Sequence, residues 1–217
     1  MNHSTIIYYT SNRENPKFEK RIQEKLLEVC GDTPIISVSQ KPIDLGTNVC
    51  VGERETSNHN LFRQILIGAR LATTPFVTYA EADCLYTPEY FKFIPEDINE
   101  TYKCDNLYIL NEWGVGEYSG FYQKEIGTFA QISGREYLIK EIEHLLEGRP
   151  MWDTRHRNER PLELFRRCRW KLFHIDNPII SLKTGNGMSN HTRIIEPPVD
   201  EIPYWGNADK IRKEYFI

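Results

Sequence analysis

Glu81 and Asp83 stand two residues apart at the end of an apolar run, in Thr74-Pro75-Phe76-Val77-Thr78-Tyr79-Ala80-Glu81-Ala82-Asp83-Cys84-Leu85. The run Phe76–Tyr79 is aromatic and β-branched and reads as a strand buried on both faces. Side chains alternate along a strand, so the two carboxylates project together from its carboxyl end, where open α/β sheets bind ligands. Paired carboxylates repel each other, and a divalent cation relieves that repulsion. Their hard oxygens suit Mg²⁺ or Mn²⁺, ions that usually also hold substrate phosphates. An ordinary acidic turn is the plain alternative for so short a motif, so the surrounding elements must decide.

Those elements begin with Thr5–Thr10, a short apolar strand followed by the polar loop Ser11–Asn15. Asn15 suits a helix cap with Pro16 at the first helical position, and Phe18, Ile22, Leu26 and Val29 recur at helical spacing up to Gly31. Pro34–Ser39 is a second apolar strand. A β-α-β opening implies parallel strands with a right-handed crossover. It places the loop after Thr10 at the carboxyl edge of the sheet, where its small polar residues and Arg13 suit a nucleobase or phosphate, or form a simple polar turn. Residues 40–58 read as a loop. Leu61, Ile65, Gly68 and Ala72 mark a core helix leading into the Phe76 strand. Thr87-Pro88 opens a short helix, and Leu107–Leu110 and Thr128–Ile132 read as strands. Ser133-Gly134-Arg135-Glu136 has the capping-box form ahead of Leu138, Ile142 and Leu145. Leu172–Leu182 reads as the last strand. The stretch with Pro197, Pro198 and Pro203 is expected to run extended.

Composition narrows the class. The chain has 217 residues, 40% of them hydrophobic and 12% aromatic, which is enough for one globular domain. Five scattered cysteines without a C-x-x-C pair point to free thiols rather than a disulfide frame or zinc site. With no span-length apolar run and no signal-peptide pattern, a cytoplasmic location is expected. The formal net charge of −4 excludes a generally basic nucleic-acid binder. Locally, residues 149–171 crowd Arg149, Arg155, Arg157, Arg160, Arg166, Arg167, Arg169 and Lys171 together, as a groove for a polyanion or as a solvated helix. Trp113–Tyr122 interleaves glycines with aromatics, a pattern that suits either a stacking platform or an irregular hairpin.

This layout resembles the GT-A glycosyltransferases, specifically the family-2-like ones. The resemblance rests on the β-α-β start, the Asn60-to-Ala72 helix, the acidic motif, the Ser133–Leu138 helix start and a late histidine, and it covers residues 4–192. It implies an α/β GT-A (Rossmann-like) fold, a mostly parallel sheet flanked by helices, in a single domain over 1–193 with an extended tail over 194–217. It also implies transfer of a sugar from a nucleotide sugar, a UDP-sugar above all, to an acceptor hydroxyl with Mn²⁺ or Mg²⁺. Carried onto this sequence, Asp83 becomes the metal ligand and Glu81 the ribose or second metal contact. His191 completes the metal shell, and Thr10, Asn12 and Arg13 meet the nucleobase. Inverting members carry a Glu-Asp pair before an arginine-bearing helix, and Asn158–Arg167 has none. Asp153, Glu159 and Glu163 are the candidate bases, Asp153 following Trp152 in a segment suited to an active-site wall. The acceptor is a saccharide, a small molecule or, through the basic segment, DNA with hydroxymethylated pyrimidines. Two rivals stand beside this reading. A nucleotidyltransferase is disfavoured by a first loop without glycine, and an inactive nucleotide-sugar-binding module is favoured by the missing pair but disfavoured by the intact Glu81, Asp83 and His191 set.

Overall fold

In the computed structural model, which describes residues 2–114, 119–154, 169–186 and 196–216, the β-α-β opening forms as the apolar spacing predicts. Ser4–Thr10 (β1) and Ile35–Ser39 (β2) are parallel, joined through the helix Pro16–Val29 (α1). Asn15 caps α1 by accepting the Lys17 N–H at 2.9 Å, which satisfies one of the donors a helix start leaves open. Alternation along β1 divides it between two cores. Ile6 and Tyr8 pack with Leu26 and Val29 of α1. Ile7 and Tyr9 pack with Phe62, Ile65 and Leu66 of the helix Asn58–Leu71 (α2) and with Leu138 and Ile142 of Arg135–Leu145 (α4).

Phe76–Glu81 (β4) lies parallel to β1, with Tyr9 opposite Glu81. The sheet also holds Thr47–Cys50 (β3), Thr101–Cys104 (β6), Gln131–Gly134 (β9) and Trp170–Phe173 (β10), in the order β10-β6-β9-β4-β1-β2-β3. Only β9 runs against its neighbours β4 and β6; the other pairs are parallel. A smaller sheet of Cys84–Leu85 (β5), Leu107–Asn111 (β7), Tyr122–Lys124 (β8) and Ile179–Lys183 (β11) has the order β5-β11-β7-β8. It shares a third core with Phe18 and Ile22 of α1. The result is a mixed α/β domain with a large central sheet flanked by helices. No helix among the described residues is long and apolar enough to cross a membrane.

Several elements differ from expectation for identifiable reasons. The strand expected at 128–132 lies at 131–134, where the antiparallel register sets Gly134 opposite Phe76. Ser133 therefore belongs to the strand, fully buried, and its hydroxyl pairs with that of Thr101 at 2.8 Å instead of capping α4. Leu172–Leu182 is two strands, because β10 and β11 belong to different sheets. The 40–58 loop contains β3, a half-exposed edge strand too polar to betray itself by alternation. The stretch expected to run extended contains the hairpin Glu201–Ile202 (β12) and Gly206–Asn207 (β13) and the helix Ala208–Tyr215 (α5). Ala208, Ile211 and Tyr215 fall on one helical face and bury against the third core, a spacing that outweighs the prolines preceding it. The short helix after the acidic motif is Pro88–Lys92 (α3). Its Thr87 is buried and donates to the Asn177 carbonyl at 3.3 Å rather than capping.

Candidate functional site

Glu81 ends β4 and Asp83 follows one turn residue later, so both carboxylates emerge at the carboxyl edge of the parallel strands. Glu81, Asp83 and Cys84 each offer a ligand atom, and these atoms lie within 4.8 Å of one another. The carboxylates are held by separate elements. Tyr9 of β1 donates its hydroxyl to Glu81 Oε1 at 2.6 Å. The Glu81 N–H donates to the Tyr86 hydroxyl at 2.9 Å, and that hydroxyl donates to the Phe129 carbonyl at 2.9 Å. Lys183, the last residue of β11, donates its Nζ to Asp83 Oδ2 at 3.1 Å. The Lys183 and Asp83 side chains are 15% and 16% exposed, so this pair is far from a loose surface contact.

A second feature opens on the same edge. A cavity of about 500 Å³ is lined by Ser11, Asn12 and Arg13 after β1, Gln40 and Lys41 after β2, Glu53, Arg54 and Glu55 after β3, and Trp152, Asp153 and Thr154. Its floor is shaped by Asn12, whose φ of 51° is in the left-handed region that asparagine tolerates. The Asn12 side chain accepts the Lys41 N–H at 2.8 Å, tying the first loop to the second. Asn60, near the start of α2, clamps the far wall: it donates to the carbonyls of Glu55 at 2.6 Å and Asp153 at 2.9 Å and accepts the Asp153 N–H at 2.8 Å. The Arg54 guanidinium lies 4.9 Å from the centre of the Trp152 ring. Its Nε–H is buried without an acceptor among the described residues. Arg13, Lys41 and Arg54 face Glu53, Glu55 and Asp153, so the cations and carboxylates of the lining balance. A balanced lining with an aromatic plane and amide groups suits a neutral hydrogen-bonding ligand such as a nucleoside more than a bare polyanion.

The acidic cluster is electrostatically unlike a surface turn. Burial, and then the neighbouring Asp83 charge, pushes Glu81 up to about 7. Burial alone would lower the Lys183 pKa, but the Asp83 carboxylate and the groups around it outweigh that and raise it. Lys124, at the end of β8, is lowered by burial and by the Lys183 charge, with Glu81 and Asp83 opposing. The Cys84 thiol is pushed up by burial and then by Asp83, and stays protonated. A carboxyl raised in the folded state binds its proton more tightly there than when unfolded. Its contribution to stability is therefore present at low pH and is lost as pH rises through the folded value. Between pH about 4.5 and about 7, Glu81 should remove up to about 3 kcal/mol of stability. Glu14 and Glu19, also raised chiefly by burial, act in the same direction. Glu81→Gln keeps an acceptor for Tyr9. Urea unfolding across that range should show a shallower decline than wild type and a more stable variant at pH 8. Identical pH profiles would mean that Glu81 is not held protonated.

The structure thus brings Asn12, Arg13 and Asp153 together around one cavity and sets Glu81 with Asp83 at the end of β4. Thr10 is buried and does not line the cavity; its hydroxyl accepts the Asn12 N–H at 2.9 Å and so shapes the loop. His191, Glu159 and Glu163 lie outside the described residues. Residues that sequence reasoning passed over include Lys183, Lys124, Tyr9, Gln40 and Arg54. Lys183 had a signal: a charged residue closing the apolar run Ile179–Leu182 before a glycine turn, the same strand-end pattern as Glu81. The others come from loops and faces that only the sheet order juxtaposes.

No family model matches the sequence, and no curated protein matches it. Solved structures do. The inositol-1-phosphate CTP transferase from T. maritima superposes with a TM-score of 0.51 at 10% identity, over 85% of this chain and 91% of that one. A glycosyltransferase involved in glycosylation of the major capsid of PBCV-1 gives 0.48 at 12% identity, over 88% and 94%. The bifunctional IspDF from Campylobacter jejuni gives 0.46 at 13% identity over 81% of this chain; the chain spans 50% of that protein's length. At such identities the likeness is one of fold, carried by the T. maritima enzyme.

Proposed function

We propose that the chain is a nucleotide-sugar-dependent transferase of the GT-A, family-2-like kind, moving a sugar from an NDP-sugar, UDP-sugar in the first instance, to an acceptor hydroxyl. The observation that carries this reading is one sheet edge with two complementary halves. One half is a charge-balanced cavity of nucleoside size after β1, β2 and β3. The other is the cluster of Glu81, Asp83, Lys124 and Lys183, where a divalent ion on the carboxylates would leave the two lysines to meet a diphosphate.

Mn²⁺ or Mg²⁺ fits the donor set in part. Glu81 and Asp83 supply hard oxygens close together, whereas the buried, protonated Cys84 is a poor ligand for such ions. Asp83 and Glu81 would hold the ion, with His191 as a further ligand. Bound there, it supplies positive charge to the departing diphosphate. The chain's own groups do the rest. Arg54 and Trp152 hold the base or ribose, and Asn12 and Arg13 line the same cavity beside it. Lys183 and Lys124 add positive charge where the leaving group gains negative charge. Asp153 belongs to the nucleoside wall, so we assign removal of the acceptor proton to Glu159 or Glu163, a step worth about 10²–10⁴-fold in rate. The acceptor is a saccharide or small-molecule hydroxyl. The arginine density of 149–171 favours duplex DNA as a second reading, which would show itself as binding that weakens steeply with salt.

The test is calorimetric titration of UDP with and without Mn²⁺, followed by incubation with UDP-sugars in the absence of acceptor. UDP binding strengthened by Mn²⁺, with slow metal-dependent release of UDP, is the expected result. Diphosphate release from a nucleoside triphosphate and a sugar phosphate, without UDP-sugar turnover, would assign the site to nucleotidyl transfer. Binding without any turnover would mark a non-catalytic module.

A further inference from the structure

The place a divalent ion would take at Asp83 is held by an ammonium group. Lys183 Nζ stands 3.1 Å from Asp83 Oδ2, with both side chains largely buried. The turn between β4 and β5 and the end of β11 build this pair. The Leu182 N–H donates to the Asp83 carbonyl at 2.7 Å, and the Glu112 N–H donates to the Lys183 carbonyl at 3.0 Å, so both backbones are fixed beside each other. Two further acceptors are engaged as well: Asp83 Oδ1 accepts from the Cys84 thiol at 3.4 Å, and Glu81 Oε1 from Tyr9. The Lys183 side chain, by contrast, is a flexible four-carbon stem with a compact charge at its end. It can leave Asp83 while its backbone stays in β11.

From this arrangement we infer that Lys183 acts as a resident counter-ion that couples metal binding to diphosphate binding; the inference rests on the nucleotide-sugar reading above. A divalent ion arriving alone must take Asp83 from its partner and leave a poorly hydrated ammonium beside a doubly charged cation. Loss of one partner from a buried pair is what makes such pairs costly to break. A diphosphate changes the balance because its oxygens accept the released ammonium while also ligating the ion. Lys124, within electrostatic reach of both carboxylates, adds a second positive charge that opposes the lone metal and favours the diphosphate. The two ligands therefore enter together, and linkage requires each to raise the other's affinity by the same factor.

The experiment uses the full chain and calorimetry, titrating Mn²⁺ alone and with saturating UDP into wild type, Lys183→Met and Lys183→Arg. Wild type should bind Mn²⁺ weakly alone and at least about tenfold tighter with UDP, within the usual range of coupling between sites. Lys183→Met should bind Mn²⁺ alone at least about tenfold tighter than wild type and gain less from UDP, because its Asp83 is already released. Lys183→Arg, which keeps a permanent cation against Asp83, should remain weak toward Mn²⁺ alone. An unchanged affinity for Mn²⁺ alone in folded Lys183→Met overturns the inference. If the Met variant does not fold, tighter Mn²⁺ binding by Lys183→Arg overturns it instead. Failure of UDP to bind wild type under any condition would sink the nucleotide reading and the coupling with it, while the Mn²⁺-only arm still decides whether Lys183 competes with a metal.

Discussion

Asp83→Ala is expected, on the proposed transferase reading, to abolish Mn²⁺-dependent strengthening of UDP binding and to cut sugar transfer by about 10²–10³-fold, the loss typical of removing one preorganised electrostatic partner from a reacting centre. The same substitution should also weaken the fold. It strands the Lys183 ammonium, 15% exposed, beside Lys124 with no carboxylate at its Nζ, and breaking a buried pair from one side costs about 3–5 kcal/mol. Asp83→Ala combined with Lys183→Met removes both charges and should recover most of that stability without recovering transfer. Urea unfolding and a transfer assay on the two variants separate the roles. A single mutant as stable as wild type would show that the ion pair contributes nothing, and a double mutant that regains transfer would remove Asp83 from the reaction.

Gly134→Ala should lose more than about 3 kcal/mol, at the severe end of overpacking. A Cβ at this position would lie 1.6 Å from the Ile98 carbonyl oxygen and 2.4 Å from its carbon. Both atoms are backbone, so no change of rotamer relieves the contact. Gly134 closes β9, donates its N–H to the Glu100 carbonyl at 3.1 Å and leads straight into α4. Displacing it separates the antiparallel strand from β4, the strand that carries Glu81. Gly31→Ala is the control: a Cβ there meets nothing within 4 Å, and only its φ of +58° argues against a side chain, which costs about 1–2 kcal/mol. Equal midpoints of urea unfolding for the two variants would mean that the approach of Ile98 to β9 is not as close as described.

The difference between these two glycines shows where local reading stops. Gly31 is legible as a helix terminator because its need is local: a left-handed residue after Val29. Gly134 sits in Ser-Gly-Arg-Glu, which local rules assign to a capping box, and its real constraint is the backbone of Ile98, thirty-six residues away. Ser133 follows the same logic, since its hydroxyl is claimed by Thr101 across the sheet rather than by its own helix.

What the sequence by itself determined is everything that depends on periodicity and near neighbours. The parallel β1-α1-β2 unit, its Asn15 cap, the α2 face of Ile65, Gly68 and Ala72, and the two carboxylates at the end of β4 are all written in spacings of two, three and four residues. Parallel strands also dictate that the loop after β1 and the acidic motif share one edge, so Asn12, Arg13, Glu81 and Asp83 were within reach as candidates. The tertiary structure alone decided which charges meet. Lys183 is one hundred residues from Asp83 and reaches it because β11 pairs with β5 in the smaller sheet. Arg54 and Trp152 enclose a cavity because Asn60 ties the chain around Asp153 to the start of α2. The physical reason is the same in each case. Hydrophobic periodicity specifies which face of an element is buried, but Coulomb attraction and burial act on distances in space, and those are set only when the sheets have chosen their order.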